Sequence, residues 1–314
     1  MWMDWIARWA VIGGLSLVDA AWLWVRGTGF AFGAVDGRLR LAGTCLVLCL
    51  GAALLTSRYR LAAAVVAKTS DFFCSATQLL LLVPPAVTLI YLGATLNLPL
   101  MDPELQRLDQ LFGFDWGAFN FWIAAHQPLS EVFRFAYATM LWQPFIVMFL
   151  VSASHPGDTN SELIWIFLVS MLMCAAISAA VPALGYDGMI GPAHIEALKE
   201  IRAGLWTTLD LNKIDGIVTF PSYHAALAVV MPFALRRIRW AFWIATALNA
   251  VMLLSTPTVG GHYLADTVAG VLLALISIAL TTAIRRGIER KLAQGAEITI
   301  AAPHQPLQAS SSHA

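Results

Sequence analysis

Two residues in the last third of the chain, His262 and Asp266, have the types and the spacing of a catalytic pair. They lie in residues 255–270, where a proline and two adjacent glycines interrupt one apolar run before another begins. Residues four positions apart share one face of a helix, one turn from each other. A carboxylate placed there can accept the imidazole Nδ1–H and leave Nε2 unprotonated. The spacing therefore predicts a histidine activated as a nucleophile.

A second polar turn further upstream also opens an apolar run, and it places Ser222 and His224 at the start of a helix. Before His262, the adjacent Gly260 and Gly261 expose backbone amides. Unpaired N–H groups and the helix dipole attract an anion at such a position. Two histidines at the starts of membrane-length helices, with anion-binding amides beside one of them, indicate phosphoryl transfer at a membrane surface.

The composition is that of a protein with several membrane spans. Of the 314 residues, 59% are hydrophobic and only 12% are charged, and the mean hydropathy is +0.72. Such values predict a polytopic membrane protein. The formal net charge is zero, so the composition does not indicate the basic surface that a nucleic-acid partner would need. The four cysteines lie inside apolar runs, where we expect small buried hydrophobes and neither a disulfide nor a metal site.

Eight apolar runs are long enough, at about twenty residues, to cross a bilayer, although the sixth is short. The fold class predicted is therefore all-α, a polytopic membrane helical bundle of about eight spans. The predicted spans are residues 5–25, 39–56, 72–92, 132–151, 163–184, 223–235, 240–256 and 262–284.

The positions of lysine and arginine predict the orientation of the bundle. Basic clusters at residues 58–68, 236–239 and 285–291 fall on one side of an eight-span bundle. The positive-inside rule makes that side cytoplasmic, so both histidine turns face the outer side. Two long polar segments also lie on the histidine side. Residues 97–128 interleave leucines with aspartates, as in an amphipathic helix lying on the membrane, and residues 185–219 contain a charged helical stretch.

Together, the two histidine turns resemble the motifs of the type-2 phosphatidic acid phosphatase superfamily. Residues 221–224 match its Pro-Ser-x-His turn, and Ser255, His262 and Asp266 match positions of its Ser-Arg-x5-His-x3-Asp turn. Each motif alone is weak, but the pair in this order, at helix starts on one membrane face, is a specific signal.

More narrowly, residues 220–225 and 261–266 are similar to the inositol-phosphorylceramide-synthase-like branch and its bacterial relatives. This resemblance implies a six-helix phosphatase-type core, which we assign to residues 71–286. Two added spans precede it in residues 1–70, and we expect residues 287–314 to be a disordered cytoplasmic tail. The bacterial relatives imply an inner (plasma) membrane location, with the active site on the outer, periplasmic face.

By resemblance, His262 attacks the phosphorus and forms a phosphohistidine, while Asp266 orients its ring. His224 protonates the departing alkoxide and then deprotonates the acceptor, which is water or a lipid hydroxyl. Ser222 and the amides of Gly260 and Gly261 would hold the equatorial oxygens. The substrate would be a phosphatidate, a polyprenyl phosphate or a phospholipid. This chemistry requires no cofactor, and we find no acidic cluster in the sequence that would hold a metal.

Two phosphate-binding elements of the superfamily are missing from this chain. A lysine followed seven residues later by Arg-Pro is not found, and Thr256 stands where the second turn has its arginine. An uncompensated anion in a low-dielectric site is costly, so other groups must balance the phosphate charge. We expect His194, Lys199 and Arg202, in the loop before Pro221, to do so. The missing cations favour a phosphodiester donor over a dianionic monoester.

Other interpretations of the same residues stay open. His262 and Asp266 could be a buried polar pair that joins helices. His194 and Arg202 could lie on a solvated loop helix whose charges pair between neighbouring turns. The chain could be a lipid transporter or flippase that uses the His–Asp pair as a proton relay, or an inactive scaffold. The sequence also does not choose between phosphatase and phosphotransferase, since water and a lipid hydroxyl react with the same phosphoenzyme, and it predicts no oligomeric state.

Overall fold

The computed structural model describes residues 2–31, 41, 43–48, 51, 63–154, 159–186, 192–210 and 219–301. This part of the chain is predominantly helical, which confirms the predicted all-α class. Its helices are α1 (Trp2–Arg26), α2 (Ala63–Ala94), α3 (Asp102–Leu111), α4 (Trp116–Ala125), α5 (Gln127–Ala138), α6 (Gln143–Ser154), α7 (Thr159–Ala180), α8 (Pro192–Arg202), α9 (Tyr223–Ala234), α10 (Arg239–Val259) and α11 (Leu264–Ala301). A 3-10 turn, Thr139–Leu141, precedes α6, and two short strands, β1 (Gly29–Ala31) and β2 (Thr208–Asp210), pair in parallel.

Five of these helices, α1, α2, α7, α10 and α11, are long and apolar enough to cross a membrane. The predicted span at residues 223–235 is α9, an apolar helix of 12 residues. The predicted span at 132–151 is not one straight helix, because Gln127–Leu141 and Gln143–Ser154 meet at an angle of 59°. Pro144 lies in the first turn of α6, and proline is disfavoured in the interior of a continuous helix. The predicted span at 39–56 lies mostly outside the described residues.

The main core forms where α2, α6, α7, α9 and α11 meet. Leu82, Met148, Phe167, Met231 and Ala274 are among its fully buried side chains. Because these side chains come from five helices, the core fixes the helices that carry both histidine turns relative to one another.

Helix α1 is attached to this core by polar contacts. Arg8 donates to Gln78 Oε1 of α2 at 2.8 Å. Asp4 accepts hydrogen bonds from Ser161 and Trp165 of α7, each at 2.6 Å. The first predicted span therefore docks against α2 and α7 through side chains that the bilayer core could not satisfy.

The predicted amphipathic segment contains α3, but the buried side of this helix is not purely apolar. Leu105 and Asp109 are 4% and 2% exposed, whereas Leu108, Leu111 and Phe112 point outward. A carboxylate thus lies inside, and the outward leucines and phenylalanine suit a membrane surface.

Helix α11 continues to Ala301. The predicted disordered tail, residues 287–314, thus overlaps this helix as far as residue 301, and residues 302–314 lie outside the described residues. The extension contains Arg290, Lys291, Leu292 and Gln294, which are strong helix formers, so the helix does not end where the apolar run ends.

Candidate active site

The starts of α9 and α11 meet, and each carries a histidine. Ser222 is the N-cap of α9, and its Oγ accepts a hydrogen bond from the Ala225 N–H at 3.4 Å. His224 follows in the first turn of α9. His262 lies just before α11, after Gly261, whose φ of 64° favours glycine. The ring centroids of the two histidines are 6.5 Å apart. The structure thus brings together the two turns that the sequence singles out.

Two backbone features hold these helix starts in direct contact. The Ser222 N–H donates to the backbone oxygen of Asp266 at 3.1 Å. Gly270, one turn further along α11, lies against the first turn of α9. A Cβ at that position would be 2.1 Å from the Ser222 carbonyl oxygen and 2.9 Å from the Ala225 Cβ. Only glycine permits so close an approach of the two helices.

His262 and Asp266 form a buried pair on the same side of the helix start. His262 Nδ1 is 3.3 Å from Asp266 Oδ2, and the two side chains are 9% and 0% exposed. The same Oδ2 accepts the Tyr263 N–H at 3.0 Å. Asp266 Oδ1 is buried and has no hydrogen-bond partner in the described chain. The geometry fits the tautomer in which Nδ1 carries the proton and Nε2 is left with its lone pair.

Tyr137, from α5, also belongs to this site, although its sequence context did not single it out. Its ring stacks on His224 with a centroid distance of 3.8 Å and an interplanar angle of 15°. A Cβ on Gly260 would lie 2.6 Å from the Tyr137 hydroxyl oxygen and 2.6 Å from His262 Cδ2. Gly260 therefore makes room for both side chains. Nothing in the apolar pattern around Tyr137 distinguishes it from a core residue, so only the folded chain identifies it.

The predicted role of Gly260 as an amide donor needs correction. Its N–H donates to the Thr256 oxygen at 3.1 Å and closes the last turn of α10. Thr256, at the position of the missing arginine, is fully buried and donates its hydroxyl to the Met252 oxygen at 2.9 Å. In contrast, the N–H of Gly261 donates to no atom of the described chain. Of the two predicted amides, Gly261 is the one open to an anion.

Ser222 lies at the predicted place but is fully buried, with its oxygen engaged as the N-cap of α9. The Ser222 side chain accepts the Ala225 N–H, and its backbone oxygen accepts the Ala226 N–H at 3.2 Å. A helix N-terminus favours a negative charge nearby. Ser222 therefore shapes this end of the site through the helix that it starts.

Two of the three loop residues predicted to bind phosphate, Lys199 and Arg202, have other surroundings in the described chain. Arg202 Nη2 donates to the Leu98 oxygen at 2.8 Å. Arg202 and the exposed Lys199 line a cavity of about 350 Å³ beside α8, and neither His224 nor His262 is among its lining residues. His194 lies in α8, and its side chain is outside the described residues. A phosphate contact by these residues stays a prediction.

A second acidic residue, Asp109 of α3, reaches the start of α11. Its Oδ2 and Oδ1 accept the N–H groups of Leu264 and Ala265 at 2.8 and 2.9 Å. Burial raises the pKa of the Asp109 carboxyl, and the two N–H groups oppose this effect. Within the described residues, no group of three or more His, Cys, Asp or Glu side chains is placed to hold a metal ion.

Comparison with models of known protein families identifies the family of this chain. The profile described as PAP2 superfamily matches residues 103–280, from α3 into α11, and this interval contains both histidine turns. The comparisons with curated proteins and with solved structures give no match. Since the matched interval is more than half of the 314 residues, this chain belongs to the PAP2 superfamily, a group of phosphatases and phosphotransferases, and it is a helical integral membrane member.

Proposed function

We propose that the protein is a lipid phosphatase or head-group phosphotransferase that works through a phosphohistidine on His262. One observation carries this proposal: His262 is paired with Asp266 at 3.3 Å, and His224 lies across from it with ring centroids 6.5 Å apart. Phosphoryl transfer through a covalent intermediate needs a nucleophile on one side of phosphorus and a proton donor on the other. Two opposed imidazoles supply both.

In the first step, His262 Nε2 forms a bond to phosphorus while the bond from phosphorus to the lipid alkoxide breaks. Protonated His224 gives its proton to the departing oxygen. In the second step, neutral His224 takes a proton from water or a lipid hydroxyl, whose oxygen attacks the phosphorus and releases His262. The two steps return both histidines to their starting protonation states.

Asp266 acts on this sequence through His262. Its Oδ2 faces Nδ1, so the carboxylate keeps the ring in the orientation that points Nε2 away from the helix. During attack, the imidazole gains positive charge, and a buried carboxylate stabilises that charge more strongly than water would. The effect belongs to the transition state more than to substrate binding.

The groups around the site favour a substrate with a single negative charge on phosphorus. The hydrogen bonds and ion pairs of the described residues place no lysine or arginine on His224 or His262. Arg134, on the same helix as Tyr137, is exposed and paired with Glu131. Helix N-termini provide only about half a charge each. This supports a phosphodiester donor, as in the inositol-phosphorylceramide-synthase-like branch, with transfer to a lipid hydroxyl.

The positive-inside pattern supports an active site on the outer face, which in a bacterium is the periplasmic side of the inner membrane. The basic residues at the end of α9 and along the far part of α11 lie at the opposite ends of these helices from His224 and His262. Both histidines start their helices, so the same side of the bundle carries the chemistry.

The test uses the purified protein in liposomes, with phosphatidic acid as monoester and phosphatidylinositol as diester. His262→Ala should abolish both release of phosphate and transfer of the head group, and it should abolish acid-labile labelling of the protein by a ³²P-labelled substrate. The matched control is His126→Ala. His126 is exposed, lies between α4 and α5 and contacts Trp122, so its loss should leave turnover unchanged.

Turnover retained by His262→Ala would refute the mechanism. The transporter alternative makes a different prediction, because a proton relay moves lipid without forming a phosphoenzyme. Lipid movement that depends on His262, without labelling or product, would favour it.

A further inference from the structure

Helix α11 begins beside the proposed nucleophile, and no side chain of its own accepts the N–H groups of Leu264 and Ala265. The first N–H groups of a helix have no partner within the helix and need acceptors from elsewhere. Usually the N-cap residue supplies one, but the residue before Leu264 is Tyr263, whose hydroxyl is directed to Asp102 and to the Gly185 oxygen. Those distances are 3.3 and 3.2 Å. Tyr263 therefore does not cap the helix.

The missing acceptors come from a distant part of the chain. Asp109 of α3 accepts the Leu264 N–H with Oδ2 and the Ala265 N–H with Oδ1, at 2.8 and 2.9 Å. It is only 2% exposed. A carboxylate that accepts two backbone N–H groups makes strong, charge-assisted hydrogen bonds. It also uses two of the first N–H groups of α11, so these two are not available to a substrate phosphate.

Because Asp109 supplies this cap, the carboxylate of Asp266 stays available to the His262 imidazole. It lies in the same first turn, where a carboxylate normally bonds back to the N–H groups of the helix start. It makes such a bond with the Tyr263 N–H, at 3.0 Å, and the same oxygen, Oδ2, faces His262 Nδ1. Asp109 accepts the N–H groups of Leu264 and Ala265. These two groups therefore do not compete with the His262 imidazole for the Asp266 carboxylate.

We propose that Asp109 is a positioning residue for the reaction: it caps α11 from α3 and thereby keeps Asp266 directed at His262. This inference rests on the proposed function. The two sides of α3 then have different roles. Asp109 on the buried side caps α11, while Leu108 and Leu111 are exposed on the outward side. Asp109 thus joins a surface helix to the nucleophile turn.

Other contacts from neighbouring segments hold the turn in the same way. Asp102, at the start of α3, accepts the N–H groups of Leu184 and Gly185 at 3.0 and 2.9 Å. The Tyr186 N–H donates to the Gly261 oxygen at 2.7 Å. With the rest of the turn held in place, loss of the Asp109 cap should disturb the first turn of α11 without unfolding the protein.

The test compares Asp109→Asn with Asp115→Asn in liposomes. Asp115 is the matched control, since its Oδ1 caps α4 through the Ala118 N–H at 2.9 Å and touches neither histidine. An asparagine keeps the shape of the side chain but offers one acceptor oxygen in place of two. Asp109→Asn should lower kcat by about tenfold or more with little change in KM, since a misplacement of about 1 Å can cost on the order of a hundredfold. Asp115→Asn should leave both constants unchanged.

A double-mutant cycle separates positioning from general destabilisation. If Asp109 acts through Asp266, then Asp109→Asn should cost little further activity in an Asp266→Asn background. Equal losses in both backgrounds would overturn the proposal. So would a loss confined to KM.

Hydrogen exchange provides a readout that does not depend on activity. In Asp109→Asn, the amides of Leu264 and Ala265 should exchange faster than in the wild-type protein, while those of α4 should not change. In Asp115→Asn the pattern should be reversed. Unchanged exchange at Leu264 and Ala265 would refute the cap. A wild-type protein with no phosphoryl transfer would refute the proposed function, while the exchange result would still decide whether Asp109 caps α11.

Discussion

Gly270→Ala should separate the two histidines by adding a single methyl group. Gly270 lies on α11, against the N-cap of α9, and the added Cβ would be 2.1 Å from the Ser222 carbonyl oxygen. Backbone forms this contact, so a side-chain rotation cannot relieve it. The distance must increase to at least about 3.4 Å, which is an ordinary van der Waals contact. The start of α9, which carries His224, must therefore move away from α11 by more than about 1 Å.

This displacement should reduce the rate of catalysis while the protein stays folded. A misplacement of about 1 Å can lower a rate by on the order of a hundredfold. Overpacking costs about 1–3 kcal/mol, and replacing a helical glycine by alanine returns about 1 kcal/mol through helix propensity. The expected net destabilisation is therefore at most about 2 kcal/mol, while kcat falls by about two orders of magnitude.

The assay measures kcat for lipid dephosphorylation or transfer in liposomes, together with thermal unfolding of the same preparations. Gly287→Ala is the matched control, because Gly287 lies in the same helix and a Cβ added there would have nothing within 4 Å. It should raise stability slightly and leave kcat unchanged. If Gly270→Ala folds and retains kcat within about twofold of the wild type, the close approach of α9 and α11 does not set the geometry of the histidines.

Four further changes test individual contacts. Tyr137→Phe keeps the stacked ring and should retain more kcat than Tyr137→Leu; equal kcat for the two would argue against stacking. Asp266→Asn should lower kcat strongly with little change in KM, and a pure rise in KM would contradict its action through His262. His224→Ala should be partly rescued by substrates with good leaving groups, and equal loss on all of them would exclude the acid role. If Arg202 exchanges its contact with the Leu98 oxygen for one with phosphate, Arg202→Ala should weaken turnover of monoesters more than of diesters. Turnover unchanged for both substrates would mean that Arg202 has a structural role only.

Sequence patterns alone predict the membrane class, the helical architecture and the two turns that carry the histidines. These features are local, because hydropathy is read from one run at a time and the His262–Asp266 spacing lies within one turn of helix. The Pro-Ser-x-His turn likewise forms from adjacent residues, with Ser222 as the N-cap of α9. Local patterns of this kind need no knowledge of what packs against them.

Local patterns predicted the structure less well where a group can find its partner in more than one part of the fold. The sequence predicted one span over residues 132–151, but the chain bends by 59° there. It predicted an open amide at Gly260, but the last turn of α10 uses that N–H. Arg202 is near the site in sequence, yet its guanidinium is bound to the Leu98 oxygen. In each case, the outcome depends on which partner is closest after folding.

The residues that complete the site from distant parts of the chain become visible only in the folded protein. Tyr137 reaches His224 from α5, and Asp109 reaches Leu264 and Ala265 from α3. No periodicity marks these residues, because an aromatic in an apolar run and an aspartate in an amphipathic helix have ordinary roles in most proteins. Their contacts cross large separations along the chain and exist only after the packing of several helices has brought those segments together.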